Sequence, residues 1–221
     1  MELELSPEEI RVLGCLIEKE RTTPEHYPLT LNSLRLACNQ KSSRDPVVDY
    51  DEDEVASALD ALQHKGLVYF VRQSGARATK YRHDLSSKWS LTVAETSLLA
   101  VLFLRGPQTL GELRSRTDRM HAFNGLGEVE DTLGGLMEHE DGPFVREQAA
   151  RKSGQKERRF EHVWLVVGEP ETSLDQAINE ALPTDMAHGG VVDSLRAEVD
   201  ALQARLSSLE EKFAAFEEQF R

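Results

Sequence analysis

The feature that most constrains this chain is that it repeats itself. Residues 6–20 read Ser-Pro-Glu-Glu-Ile-Arg-Val-Leu-Gly-Cys-Leu-Ile-Glu-Lys-Glu. Ser6 followed by Glu9 is a capping box, in which each side chain satisfies the other residue's free backbone N–H. Val12, Leu13, Leu16 and Ile17 then continue it as one apolar helix face. Residues 92–104 do the same at an offset of 86, with Thr92 and Glu95 as the box and Leu98, Leu99, Leu102 and Phe103 as the face. Leu29-Thr30-Leu31-Asn32-Ser33-Leu34 matches Gln108-Thr109-Leu110-Gly111-Glu112-Leu113 at an offset of 79, a Thr capping a short helix in each. Val55, Leu59, Leu62 and Val71 match Val129, Leu133, Leu136 and Val145 at an offset of 74. The offset shrinks along the chain because the first copy has longer loops, as in homologous domains that differ by surface insertions.

Each copy closes with a strand pair. Leu67-Val68-Tyr69-Phe70-Val71-Arg72 and Ala78-Thr79-Lys80-Tyr81-Arg82 flank a Gly/Ser turn in the first. Phe144-Val145-Arg146-Glu147 and Arg158-Arg159-Phe160-Glu161-His162-Val163-Trp164-Leu165 flank a long polar loop in the second, where Gly134-Gly135 weakens the preceding helix. Three helices and a hairpin in about 75 residues is the winged helix-turn-helix plan. The expected fold class is therefore mainly α with small β-hairpins (α+β). Residues 1–85 and 86–167 are expected to form two tandem winged helix-turn-helix domains. Residues 168–190, with Gly168, Pro170, Pro183, Gly189 and Gly190, read as a linker.

The last segment, 191–221, carries a heptad seam. Val192, Leu195, Val199, Leu202, Leu206, Leu209, Phe213, Phe216 and Phe220 alternate in steps of three and four. Such a stripe specifies a coiled-coil helix, here roughly 45 Å long. Pairing with a second copy would give a homodimer, the expected oligomer. The three Phe residues are bulky for a two-stranded seam, so the alternative is a helix that lies back on its own domains.

Charge is unevenly spread. The chain is 39% hydrophobic and 29% charged, with a net charge of −13. Residues 1–85 hold 11 basic and 15 acidic groups, residues 86–168 hold 11 and 12, and residues 169–221 hold 4 and 12. The tail thus carries most of the excess, and the two repeats can still present local basic faces. No run approaches the ~18 apolar residues that a membrane span needs. The acidic Met1-Glu2-Leu3-Glu4-Leu5 start lacks the basic region of a signal peptide. Cys15 and Cys38 each sit in an apolar helical pattern and read as buried hydrophobes in a reducing compartment, so a cytoplasmic location is expected.

Signals for catalysis are weak. The seven histidines show no ligand spacing to Cys, Asp or one another. There is no GxSxG, HExxH or Gly-rich phosphate loop in the sequence. Asn124-Gly125-Leu126-Gly127 reads as a turn before a helix, His139-Glu140-Asp141 as a solvated helix end, and Asp49 to Glu54 as acids favouring a helix start. The expectation is a non-enzymatic chain without metal or cofactor.

Signals for nucleic acid are mixed. In a helix-turn-helix, the start of the third helix meets base edges. Here those helices open with Asp51-Glu52-Asp53-Glu54 and Glu128-Val129-Glu130-Asp131, which repel phosphates. The wings are basic instead: Arg72, Arg77, Lys80 and Arg82 in the first, and Arg146, Arg151, Lys152, Lys156, Arg158 and Arg159 in the second. Such wings suit phosphate contacts, which supply affinity without sequence discrimination, although charged edge strands also occur simply to protect a sheet. Cys38-Asn39-Gln40-Lys41-Ser42-Ser43-Arg44-Asp45-Pro46-Val47 could equally grip a phosphate backbone through Lys41 and Arg44 or close an internal hydrogen-bonded loop.

The run from Tyr27-Pro28-Leu29-Thr30-Leu31-Asn32 through Ala37-Cys38-Asn39-Gln40-Lys41-Ser42-Ser43-Arg44-Asp45-Pro46-Val47 resembles the signature of the YceH-like family of bacterial proteins. Thr92-Val93-Ala94-Glu95, Arg105-Gly106-Pro107-Gln108-Thr109 and Phe123-Asn124-Gly125-Leu126 extend the likeness over about residues 5–167, and it resumes in the tail helix. The resemblance implies tandem winged helices in a bacterial cytoplasmic protein and supplies no catalytic residues. Two functions are then expected in order. The first is a DNA-associated or transcription-regulatory protein contacting double-stranded DNA through its basic wings. The second is a protein–protein interaction adaptor built on acidic winged helices, with a protein partner and no DNA.

Overall fold

The computed structural model describes residues 3–71, 78–148 and 158–164. The chain divides into two compact units, Met1–Val167 and Gly168–Arg221. All described residues lie in the first. The expected linker at 168–190 and the heptad helix at 191–221 lie outside the described residues.

Each repeat begins with a capped helix. In α1 (Pro7–Thr22) the Ser6 hydroxyl accepts from Glu9 N and the Glu9 carboxylate accepts from Ser6 N; Thr92 and Glu95 do the same for α5 (Val93–Arg105). Two-residue strands follow, β1 (Leu29–Thr30) and β4 (Gln108–Thr109). Each leads straight into a second helix whose first turn its Thr caps, α2 (Leu31–Cys38) and α6 (Leu110–Thr117). The third helices are α3 (Glu52–His64), closed by an Asp51–Glu54 box, and α7 (Leu126–Met137), where Glu128 instead accepts from the Asn124 backbone and side-chain amides. Helix α7 runs through Gly134-Gly135 because Val129, Leu133 and Leu136 anchor it in the core. Hairpins β2 (Val68–Val71) with β3 (Lys80–His83) and β5 (Val145–Glu147) with β6 (Arg159–His162) complete the copies.

The hairpins are not free-standing. Strand β1 pairs antiparallel with β3, Leu29 opposite Tyr81, and β4 pairs with β6, Gln108 opposite Phe160. The result is two three-stranded antiparallel sheets, β1-β3-β2 and β4-β6-β5. This is an α+β, winged-helix-like arrangement. The added strands escaped the sequence reading because two residues carry no alternation.

A short helix, α4 (Leu85–Lys88), stands where the first repeat ends, and the repeats share one hydrophobic core. The two first helices pack against each other. They are buried on every side, from Glu9 to Ile17 in α1 and from Thr96 to Leu104 in α5. Sequence periodicity shows only one apolar face on each; the second face is covered by the other repeat. Gly14 sits at the crossing, where an added Cβ would lie 3.0 Å from Leu104 and Phe103 side-chain carbons. Two backbone hydrogen bonds reinforce the contact: Leu5 N donates to Trp164 O at 2.7 Å, and Asp45 N to Leu104 O at 2.8 Å. Beside them Trp89, Phe103, Phe144 and Trp164 form an aromatic cluster with ring centroids 5.1–5.5 Å apart.

His162 lies at the edge of this cluster, edge-on to Phe103 at 5.0 Å. Burial, and then the nearby Arg146 charge, push its pKa down to about 4. The unfolded chain, with an ordinary histidine near ~6.5, therefore binds the proton more readily. Stability should be highest above that pH, fall as pH drops toward about 4, and level off below, with a total effect of at most about 3 kcal/mol. His162→Phe is expected to flatten that slope in urea titrations across the same pH range. The Gly14 crossing predicts that Gly14→Val destabilises the chain by about 1–3 kcal/mol through overpacking, read as a lowered urea midpoint with the fold retained by circular dichroism.

Candidate partner interface on the third helices

The structure separates the basic residues singled out in the sequence into three groups. Arg44 is inside the protein. Its guanidinium makes a bidentate pair with Glu18 of α1, at 2.7 and 3.1 Å. It also donates to Ala37 O at 3.0 and 3.1 Å, to Ser43 O at 2.9 Å and to Gln40 Oε1 at 3.1 Å. With every N–H group engaged and no exposed side-chain surface, Arg44 cannot reach a phosphate, so its assignment as a DNA contact is corrected. Burial opposes the Glu18 charge, but the hydrogen bonds and charge of Arg44 outweigh it and hold its carboxyl below the usual range.

The 39–51 loop is thus the internal hydrogen-bonded alternative over most of its length. Asn39 closes it, donating to Tyr50 O at 2.8 Å and accepting from Tyr50 N at 2.9 Å. Buried Arg11 donates to Pro46 O at 2.5 Å and to Cys38 O at 3.4 Å. Lys41 alone of the two loop bases is exposed. Arg11 and Glu18 did not stand out in the sequence. Their signal was available: a polar stripe at i and i+7 on a helix whose other faces are apolar.

The second group comprises wing arginines that face solvent but already hold carboxylates. Arg146 pairs with Glu161 across the hairpin at 2.8 Å. Arg159 reaches Glu112 at 3.1 Å and Pro107 O at 3.0 Å. Arg158 pairs with Glu130 of α7 and with Glu147 of β5 at 3.5 Å, and lies over the Phe160 ring. These partners, Glu130 foremost, raise the Arg158 pKa. Lys80 and Arg82 are residues of β3, Arg82 4.0 Å from Asp84. The third group, Arg72, Arg77, Arg151, Lys152 and Lys156, lies outside the described residues.

What the third helices present instead is negative charge. Glu52, Asp53 and Asp60 are exposed on α3, as are Glu130 and Asp131 on α7. A cleft of about 630 Å³ between the starts of α1 and α3 is lined by Glu8, Glu9, Asp51, Asp53 and Glu54. Its one lining cation, Lys65, is held by the Glu9 carboxylate at 2.7 and 2.8 Å. Helix α7 adds apolar surface, with Leu126 and Met137 48% and 36% exposed on the side that carries Glu130. Tyr69 is 45% exposed on β2, an edge strand of its sheet. Among the described residues, no group of three or more His, Cys, Asp or Glu is arranged to hold a metal ion, and no helix is long and apolar enough to cross a membrane.

Residues 5–155 match the family model described as a protein of unknown function, DUF480. Similar proteins, each called a UPF0502 protein, come from several bacteria. The one from Geobacter sulfurreducens is 53% identical over 176 residues, covering 80% of this chain and 78% of that protein. The one from Serratia proteamaculans is 48% identical over 168 residues, 74% and 78% of the two chains. The one from Koribacter versatilis is 45% identical over 199 residues, 90% of each. The YceH-like resemblance of residues 27–47 agrees with these matches.

The contrast between the two kinds of arginine is testable. Arg44→Ala leaves the largely buried Glu18 carboxylate with Lys19 at 3.4 Å as its remaining ion-pair partner and is expected to cost about 3 kcal/mol. Arg158→Ala, at the surface, should leave the urea midpoint unchanged. Equal effects of the two substitutions would contradict the internal role of Arg44.

Proposed function

The chain belongs to the DUF480 family, and on that footing we propose that it is a non-enzymatic protein–protein interaction adaptor whose third helices receive a partner bearing basic and apolar side chains. The observation that carries this reading is the pairing of Arg158 with Glu130. A wing arginine is matched here by a carboxylate of the third helix of its own repeat. A DNA backbone brought to this face meets Glu130 and Asp131 and has to displace the Arg158 pair, so it loses charge complementarity on both elements. A basic protein surface gains from the same carboxylates, and exposed Leu126 and Met137, at the two ends of α7, supply apolar area to either side of them. The heptad seam at 191–221 fits the same role, since two paired copies would present the acidic helices twice and raise avidity without new contacts.

The second reading, a DNA-associated protein using its wings, draws on exposed Lys41 and on Lys80 and Arg82 in the second strand of the first hairpin. Fluorescence anisotropy with random-sequence duplex DNA at low and at physiological salt separates the two. The full chain is expected to show no binding at either. Tight binding that weakens by about 0.9 log units per log unit of salt for each phosphate contacted would overturn the adaptor reading in favour of DNA. The complementary measurement is co-purification from cell extract: a partner held by the wild-type chain should be lost from Glu130→Lys/Asp131→Lys.

A further inference from the structure

The two cysteines, assigned to bland core positions by the sequence, share a polar pocket. Cys15 is on α1 between Arg11 and Glu18, at the i, i+4 and i+7 positions that line one helix face. Cys38 ends α2. That α1 stripe faces the end of α2: Arg11 donates to Cys38 O, and Arg44, held by Glu18, donates to the adjacent Ala37 O. Inside this frame the Cys15 and Cys38 thiols are close enough to perturb each other's ionisation, and the Arg44 guanidinium acts on Cys15. Both sulfurs are free and fully buried.

We propose that Cys15 and Cys38 are a redox-responsive pair that a hydroperoxide converts into an intramolecular disulfide. The roles of the two differ. Burial opposes ionisation of Cys15, but the neighbouring Cys38 thiol and the Arg44 and Arg11 charges outweigh it and hold its pKa below the usual thiol value. The neighbouring Cys15, then burial, pushes the Cys38 thiol up. Cys15 is therefore the attacking sulfur and Cys38 the resolving one. With hydrogen peroxide, the Cys15 thiolate attacks one oxygen and the O–O bond breaks. The departing hydroxide takes up the thiol proton to leave water, and Cys15 becomes a sulfenic acid. The Cys38 sulfur then attacks the Cys15 sulfur, the S–O bond breaks, and the departing hydroxide carries off the Cys38 proton as a second water. In sum, two thiols are oxidised by two electrons, one peroxide is reduced, and one S–S bond forms. The two thiols face each other across the α1–α2 contact, and disulfide formation requires the sulfurs to close to about 2.05 Å. Arg44 keeps Glu18 as its counter-ion, so loss of the thiolate leaves no unpaired guanidinium. Because neither sulfur is exposed, the reaction proceeds through local opening around the end of α2.

The test uses the full chain, reduced and then incubated with hydrogen peroxide. The readouts are thiol titration in denaturant, intact mass and peptide mapping without reductant. The expected result is that both thiols disappear together and the chain becomes lighter by two hydrogen atoms. Peptides bearing Cys15 and Cys38 become cross-linked within one chain, and dithiothreitol reverses the change. Cys38→Ala should accumulate a dimedone-reactive sulfenic acid at Cys15, whereas Cys15→Ala should leave Cys38 unmodified. Circular dichroism checks that each variant folds, and the wild-type measurement stands without them. Persistence of both thiols at a peroxide dose that oxidises the urea-unfolded chain would overturn the proposal. So would cross-links only between chains, or equal reactivity of the two single variants.

Discussion

The crossing of α1 and α5 is the constraint on which the rest of this molecule depends. Each is the first helix of its repeat, and each is buried on all sides between its own repeat and the other. Close approach requires a position without a side chain, and Gly14 supplies it against Leu104 and Phe103. Once these helices are in contact, the 39–51 loop is carried onto the end of α5 through Asp45, and the N-terminal segment is carried onto Trp164. The aromatic cluster around Trp89 and Trp164 fills the remaining space beside α5. The third helices keep an exposed side, and it is there that the carboxylates collect.

Within this frame the polar interior is arranged around Arg44. A buried ion pair is seldom a net source of stability, because desolvation offsets much of the attraction. What the Arg44–Glu18 pair does is select one loop conformation. Its six hydrogen bonds tie α1, the end of α2 and the start of the loop into a single arrangement that alternatives cannot satisfy. The same arrangement brings Cys15 and Cys38 together beside a guanidinium. At the surface the opposite logic holds: Arg146, Arg158 and Arg159 stay near water and are each matched by a carboxylate from an adjoining element. Among the described residues, these three wing arginines are paired, while Glu52, Asp53, Asp60 and Asp131 stand exposed on the third helices.

Much of the fold was legible in the residues. The capping boxes Ser6–Glu9 and Thr92–Glu95, the caps Thr30 and Thr109, and the anchors Val55, Leu59, Leu62, Val129, Leu133 and Leu136 all occupy the expected places. These are local or periodic signals, and local hydrogen bonding and helix geometry enforce them wherever the chain goes. The candidate site was less legible. Arg44 and Lys41, three residues apart in one polar loop, looked equivalent and ended in opposite environments. Nothing near Arg44 in the sequence indicates Glu18, which is 26 residues away. The pairing of Arg158 with Glu130 likewise joins a wing to a helix 28 residues earlier.

What the sequence by itself determined is the repeated set of capped helices and hairpins, together with the apolar positions that bury them, because those follow from interactions within a few residues. Only the tertiary structure decided which charges remain free. The second faces of α1 and α5, the two short strands β1 and β4, the Cys15–Cys38 approach and the carboxylate partners of Arg44, Arg146, Arg158 and Arg159 all depend on residues far apart in the chain. Their positions are set by how the two repeats pack, and a charge acts on a partner only after that packing has chosen its neighbours and its exposure to water.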